Sequence, residues 1–501
     1  MLRLATLVGA GLLLTACGTT VPVTSQASLG DGLSGVAAPS GAVTAAPSTE
    51  LGAGTGGTSG GTVTGGTGTT PGGSLPQSGP SAVLPTTSVT VPGGSKTRAP
   101  LSIGIVLTQT SNAAQFGVSF GNTYSEQQID DAVIAAMNAQ GGIAGRRIAP
   151  VYASTDTGSS NWEVDFAAAC ATFTQDHKVV AVLGYAFTYS KSFEKCLAAR
   201  KIPHLNTGFN VPGNTELAKY PLQTALDVPT IDRRGLLKLA GAVADGVLTP
   251  KNKIGILTET CPGTPESLQQ TFLPEAKKLG LTISRTVTVS CASGAADSGS
   301  AVTTLQNAVL QFASAGVDRV IFHASSEGPA LLLFTLSAQS QGYHPQYVVS
   351  SLANLESLRP NFPAAQINNI HGYGWMPSQD VPPRYYPAQN ALQKRCLALL
   401  KSRSIKPASG PDYYYAYNFC EAVFVYEKAL LSNGGNADGA SVNGAVKGLG
   451  TSFASLTNQG GSLFAPGQYD APRSMRHVVY SSGCSCFAYV GPTRAIPTAV
   501  S

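Results

Sequence analysis

Six short polar clusters carry the residue types that can do chemistry: Thr108-Gln109-Thr110, Thr188-Tyr189-Ser190, Asn206-Thr207-Gly208, Thr258-Glu259-Thr260, Ser325-Ser326-Glu327 and Ser350-Ser351. Each lies at or just past the end of a short apolar run. They are rich in hydroxyls and poor in charge, a set that holds a small carboxylate or amide but makes no nucleophile. About half are expected simply to cap the helices that follow them, and capping and anion binding can share one residue. Catalytic constellations fail on placement. Gly117-Val118-Ser119-Phe120-Gly121 fits G-x-S-x-G but lies ten residues past its strand, where a nucleophile elbow needs a sharp strand-to-helix turn. Gly57-Thr58-Ser59-Gly60-Gly61 and Gly52-Ala53-Gly54-Thr55-Gly56-Gly57 fall in a glycine tract in which such matches arise by chance. No G-x-x-x-x-G-K-[ST] occurs, and Asp130-Asp131 reads as a solvated helix face.

The histidines (His177, His204, His323, His344, His371, His477) are scattered, with no H-x-x-x-H or C-x-x-C, so no metal and no cofactor are expected. Cysteine is more telling. Setting Cys17 aside leaves eight, an even number that in an exported chain reads as disulfides. Spacing favours local pairs: Cys170 with Cys196, Cys261 with Cys291 and Cys396 with Cys420. Cys484-Ser485-Cys486 either closes a small ring or trades one partner.

Export is read from the N-terminus. Arg3 gives a short basic region, residues 4–14 an apolar run too short to span a bilayer, and Leu14-Thr15-Ala16-Cys17 resembles the bacterial lipobox, whose thiol is diacylated. Two or three acyl chains anchor far better than one, each buried CH₂ adding about 0.8 kcal/mol. Cys17 is therefore the expected lipid anchor, and 1–17 the signal peptide. Residues 18–99 are mostly Gly, Thr, Ser, Pro, Ala and Val. Such a stretch cannot bury enough apolar surface to order itself and reads as a tether. The net charge is only +5 and no Lys/Arg run occurs, so nucleic acid is not an expected partner.

From Pro100 onward, apolar runs of strand length alternate with segments of helical period. Leu101–Leu107, Arg147–Tyr152, Val179–Leu183 and Ile202–Leu205 read as strands, with helices at 123–139, 162–177 and 190–200 between them. The rhythm restarts at Lys253–Leu257 and runs through strands at 282–290, 318–323 and 346–350 and helices at 265–279, 300–315 and 328–341. More helix is expected at 386–404 and 411–432. This alternation predicts an α/β fold of parallel sheets covered by helices, and about 400 residues favour two lobes. In such sheets ligands sit beyond the carboxyl ends of the strands, where the six polar clusters fall.

Asn138-Ala-Gln-Gly-Gly-Ile-Ala-Gly-Arg-Arg-Ile148 resembles the N-x-x-G-G-I-x-G-[RK]-x-[IL] stretch of the Leu/Ile/Val-binding proteins, type I periplasmic substrate-binding proteins of ABC importers. Asp156, Val182-Leu183-Gly184 and Pro203-x-Leu205 fall at that family's spacings. The resemblance implies two Rossmann-like lobes joined by a three-strand hinge, with residues 100–226 and 353–462 in lobe 1 and 227–352 and 463–501 in lobe 2. The crossings would lie near 224–230, 350–355 and 460–470. It also implies a ligand held by Phe187, Thr188, Tyr189, Asn206, Thr207 and Gly208 in the first lobe, and by Glu259, Ser325 and Ser351 in the second. The family's usual acid after the strand ending near 350 is replaced by Ser350-Ser351-Leu352, leaving Glu259 and Glu327 as the nearest substitutes. The expected protein is a non-enzymatic, lipid-anchored receptor on the outer face of the membrane, delivering a small amino acid, carboxylate or amide to an ABC permease. A sensing receptor that signals to a membrane partner is the alternative, and a secreted α/β hydrolase a third.

Overall fold

A computed structural model describes residues 98–110, 121–184 and 187–498. Cys17 and residues 18–97 of the tether lie outside them. A first sheet holds β1 (Leu101–Gln109), β2 (Ile148–Asp156), β3 (Ala181–Gly184), β4 (His204–Asn206) and β5 (Gln223–Ala225). Their order is β2-β1-β3-β4-β5, all parallel. Helices α1 (Glu126–Ala139), α2 (Trp162–Ala171) and α3 (Lys191–Ala199) connect them.

The 138–148 motif has a local cause. Ser125 and Gln128 form a capping box that starts α1. At its other end Asn138 clamps the returning chain, donating from Nδ2 to the Ile148 carbonyl (2.9 Å) and accepting the Ile148 N–H on Oδ1 (2.8 Å). Gly142 between them has φ +71°, and a Cβ there would lie 2.0 Å from the Arg146 carbonyl oxygen. Only glycine allows that turn.

The second sheet follows α4 (Ile231–Ala244). Its elements are β6 (Ile254–Glu259), β7 (Ile283–Val289), α5 (Ser298–Ser314), β8 (Arg319–His323), α6 (Glu327–Ser340), β9 (Gln346–Ser350) and β10 (Ile370–Gly374). Helices α7 (Ala391–Lys401), α8 (Gly410–Ser432) and α9 (Gly439–Lys447) return to the first lobe, and a hairpin of β11 (Ser474–Ser481) and β12 (Cys486–Ala495) completes the second. The order is β12-β11-β10-β9-β8-β6-β7, parallel from β7 to β10, with β11 and β12 antiparallel at the edge. The helix expected at 265–279 is interrupted by a π turn at Leu268–Phe272. Pro274 lies just beyond and has no N–H to bond one turn back.

Each sheet is buried on both faces. In the first lobe, α1, α7 and α8 cover one face through Ile129, Leu399 and Val423. The other face packs on Phe166, Phe173 and Phe193 beneath α2 and α3. In the second lobe one face packs on Leu237, Phe272 and Tyr373, the other on Phe312, Phe334 and Tyr347.

The second lobe is longer than expected. Residues 353–374 do not return to the first lobe at 353. Asn354 turns the chain at φ +48°, and Leu355, Leu358 and Ile370 join the second core. The second crossing therefore follows Gly374, and Phe464 and Ala471 still pack in the first core, so the third precedes Ser474 rather than 463. The three crossings are tied together. The Ala225 N–H donates to the Tyr469 carbonyl, the Ala471 N–H to the Ala225 carbonyl, and the Trp375 indole N–H to the Asp227 carbonyl (2.7 Å). Cys170 is bridged to Cys196, Cys261 to Cys291, Cys396 to Cys420 and Cys484 to Cys486.

Candidate functional site

The first lobe offers two adjacent turns beyond β3 and β4. Gly184 ends β3 with φ +105°, and its carbonyl accepts the Thr207 N–H. Thr188 accepts on Oγ1 from Asn210 Nδ2 at 3.3 Å. Asn206 closes a tight turn by accepting the Gly208 N–H on Oδ1 at 2.7 Å. The Thr207 hydroxyl is fully buried without a hydrogen-bond partner among the described residues. Phe187 meets Trp162 edge-on at 5.0 Å. The Tyr189 hydroxyl donates to Glu216 at 3.3 Å, and burial pushes the phenol pKa far up. Thr188, Asn206, Thr207 and Gly208 thus form one neighbourhood, with aromatic rings beside it.

Across the seam, Glu259 and Ser325 meet each other rather than an open space. The Glu259 carboxylate accepts the Ser325 N–H (2.7 Å) and the Ser326 hydroxyl (3.3 Å). Both serines lie at the entry to α6, so the carboxylate caps that helix, and burial raises its pKa. Ser351 is fully buried at the hinge. Its hydroxyl accepts the Trp375 N–H (2.8 Å) and the Met376 N–H (3.1 Å) and donates to Asp380 (3.1 Å). It holds the second crossing.

Several residues at the seam are absent from the sequence reading. Arg234, early in α4, is fully buried and donates from Nη1 to the carbonyls of Val211 (3.2 Å) and Pro229 (2.9 Å). Its Nε and Nη2 have no hydrogen-bond partner among the described residues. Glu327, Glu259, Asp470 and Asp232 supply the compensating field, while burial lowers its pKa. Asp232 accepts the Asn214 N–H at 2.7 Å. Together these bonds fasten the first-lobe strap at 211–214 to the second lobe. The signal was available, in Asp232-Arg233-Arg234 at the start of a helix just past the first crossing. Phe209 stacks on Tyr414 at 5.2 Å, with ring planes 6° apart.

At the outer lip the Trp162 N–H donates to the Ser293 carbonyl and the Ala295 N–H to the Ser159 carbonyl. A Cβ on Gly294 would lie 2.1 Å from the Ser160 oxygen. The Cys261–Cys291 bridge braces this lip two residues from Ser293. The lobes therefore meet at both the strap and the lip.

The comparisons agree with this architecture. The family model described as periplasmic binding protein matches residues 100–477. The chain belongs to the periplasmic binding protein family, whose members bind substrates and do not transform them. Among curated proteins, none matches the chain in sequence. Among solved structures it is similar to an ABC transporter substrate-binding protein of Aeropyrum pernix, with TM-score 0.60, 12% identity, 79% of this chain and 97% of that one. A possible leucine/isoleucine/valine-binding protein of Rhodopirellula baltica gives TM-score 0.57 and 14% identity over 79% and 97%. A solute-binding protein of Rhodopseudomonas palustris in complex with 3,4-dihydroxybenzoic acid gives 0.56 and 14% over 80% and 98%. At such identities the likeness is one of fold.

Proposed function

We propose that this protein captures a small solute between its two lobes and delivers it to an ABC importer, tethered to the membrane by acyl chains on Cys17. The observation that carries the reading is the seam itself. The turns at Thr188 and Asn206–Gly208, beyond two adjacent parallel strands, lie in a lobe fastened to its partner by Arg234 and Asp232, with three crossings behind. A clamp of that kind closes on what it holds.

The ligand is a small carboxylate or amide, with an aromatic group favoured over a basic one. Glu259 is engaged by Ser325 and Ser326, and Ser351 by the hinge, so neither supplies the free acid that an ammonium needs when buried. Phe187, Trp162, Phe209 and Tyr414 supply apolar walls.

A thermal-shift screen against amino acids, amides, aliphatic carboxylates and aromatic acids tests this. A true ligand at about 100 times its dissociation constant adds about 2.7 kcal/mol of stability. Titration of Thr188→Ala beside wild type should then show a loss of about 1–3 kcal/mol in binding with the fold intact. Equal affinities would reduce Thr188 to a turn residue. Separately, Cys17→Ala should release the protein from the membrane fraction, and unchanged retention without an acylated N-terminus would remove the anchor from the proposal.

A further inference from the structure

The pole of the first lobe opposite the seam carries a row of cations that four separate loops bring together. Strands β2, β1, β3 and β4 begin there side by side. Backbone bonds stitch their entry loops to one another. The Leu101 N–H donates to the Arg147 carbonyl (2.8 Å), the Val180 N–H to Ser102 (2.8 Å) and the Val182 N–H to Pro203 (2.9 Å). At about 4.8 Å between strands, the four starts span about 15 Å. Along that row lie Arg98, Arg146, Arg147, Lys178, Arg200 and Lys201, and all but Arg146 are exposed. Arg146 turns back to donate from Nε to the Ala99 carbonyl (2.7 Å). The loops of this pole hold two acids, Asp176 and Asp438, and Asp438 is occupied in capping α9. None of the six cations forms an ion pair among the described residues.

Two of these cations sit where the backbone asks for glycine. A helix commonly ends on a left-handed residue just past its cap. Past α1, α4, α5 and α6 that residue is Gly141, Gly246, Gly316 and Gly342, with φ from +64° to +100°. Past the π turn that follows α2 it is Lys178 (φ +49°), and past α3 it is Lys201 (φ +57°). An L side chain in this conformation crowds the following carbonyl, and glycine does not. A helix C-terminus gains from a cation anywhere in its last turn without that strain. Capping therefore does not account for these two side chains, whereas a use for their charge does.

What lies within reach of the row is set by where the described chain begins. Arg98 belongs to the row and continues back into residues 18–97, whose length and composition give an end-to-end distance of roughly 50 Å. With Cys17 acylated, the bilayer is the anionic surface that this length keeps beside the pole.

We propose that this pole docks on an anionic lipid surface, with headgroup phosphates meeting the row of cations. The turns at Thr188 and Asn206–Gly208 stand at the other end of the same sheet, whose strand β1 is nine residues long. A docked lobe therefore keeps them turned toward solution. The proposal rests on the tethered reading above only for the nearness of the membrane, and its test omits the anchor, so each can fail alone.

The mature chain from residue 17, carrying Cys17→Ser so that no acyl chain is attached, is sedimented with vesicles. One set is phosphatidylcholine alone, the other phosphatidylcholine with one third phosphatidylglycerol. The protein should pellet with the second set only, at about 0.1 M salt and not at about 1 M, where the screening length falls from about 10 Å to about 3 Å. Each Lys or Arg near such a surface is worth about fivefold in binding, so Lys178→Gly/Lys201→Gly should weaken it about 25-fold. The melting temperature of that variant should stay level or rise, because glycine relieves the left-handed backbone. Lys191→Gln/Lys406→Gln removes the same charge from the end of the lobe beside the seam, at the start of α3 and next to Tyr124. That pair should change binding by less than about twofold. Equal pelleting with phosphatidylcholine alone, no pelleting with either set, or equal losses in the two double variants overturns the docking surface. So does capture by soluble polyphosphate with the vesicles left unbound, which would hand the row to an anionic polymer.

Discussion

At the rim of the first lobe, Thr188 and Asn206 make neutral hydrogen bonds to Asn210 and Gly208, whereas behind the rim of the second lobe Arg234, Lys238, Glu259 and Glu327 are all buried together. Lys238 Nζ lies 2.5 Å from Glu327 Oε1 and also donates to the Phe322 carbonyl. The other Glu327 oxygen accepts the Ser350 N–H at 2.6 Å. His323 sits among them without a hydrogen-bond partner among the described residues, held neutral by burial and by Lys238 and Arg234. The difference separates two tasks. In the second lobe Lys238, Glu327 and Glu259 are matched internally and stiffen the ends of β8 and β9, while Arg234 keeps Nε and Nη2 without a hydrogen-bond partner among the described residues; the first lobe leaves mild, neutral groups near the seam.

The largest expected effect comes from breaking that internal match. Lys238→Met should destabilise the protein by about 3–5 kcal/mol, because Glu327 stays buried without its cation. The double variant Lys238→Met/Glu327→Leu should recover a large part of the loss. Urea unfolding of wild type, both single variants and the double variant measures the coupling. A single variant no worse than the double would mean that the pair is not matched in the way described.

The first lobe has its own buried acid, and it behaves differently. Glu421 in α8 accepts from the Ser455 hydroxyl and the Leu456 and Thr457 N–H groups, with no cation beside it among the described residues. Burial pushes its pKa from 4.5 up to about 7 against those bonds. A raised folded pKa means that the native state holds the proton more firmly than the unfolded chain. The associated stability is full below about pH 4.5 and is lost as pH rises through about 7. Compared with Glu421→Gln, which stays neutral, wild type should lose on the order of 3 kcal/mol between about pH 5 and about pH 8. Denaturant melts of both proteins at the two pH values check it; parallel behaviour would show that Glu421 is ionised throughout.

How much of this was legible follows from range. The β6 to β9 rhythm and the α1 turn are set by local pattern, and Asn138 with Gly142 explains why the 138–148 stretch reads so clearly. Strand β5 was legible only as the crossing near 224–230, since Gln223–Ala225 is three residues long, and β10 escaped notice because Ile370–Gly374 follows a run of short turns with no helix of ordinary length before it. The hairpin of β11 and β12 was missed because its turn, Ser482–Ser485, carries a disulfide instead of an Asn-Gly signal. At the site, the hydroxyl clusters were visible because they end strands. What each side chain bonds to was not. Glu259 with Ser325 is a contact over 66 positions, and Ser351 with Trp375 one over 24. Arg234 escaped because a charged helix start ordinarily faces water, whereas here the strap docks on it at Val211.

The smallest expected effect separates two bridges, one in each lobe. Cys170–Cys196 joins α2 to α3 across 26 positions, whereas Cys484–Cys486 closes a ring across 2 at the tip of the β11–β12 hairpin. In the chain-entropy account a bridge stabilises by restricting the unfolded chain, and the benefit grows with the logarithm of the loop. Replacing both cysteines of the first by serine should cost about 3–4 kcal/mol, and of the second about 1.5 kcal/mol. The geometry adds to the contrast. Cys170 lies next to Ala169 in the Phe166–Phe193 core, so its loss also loosens packing. Cys484 is half-buried in the hairpin turn, and β11 and β12 keep their ladder without it. Guanidinium melts of the two double-serine variants measure the gap. Were the hairpin variant the less stable of the two, the short ring would be setting the register of β12, and with it the edge of the second sheet.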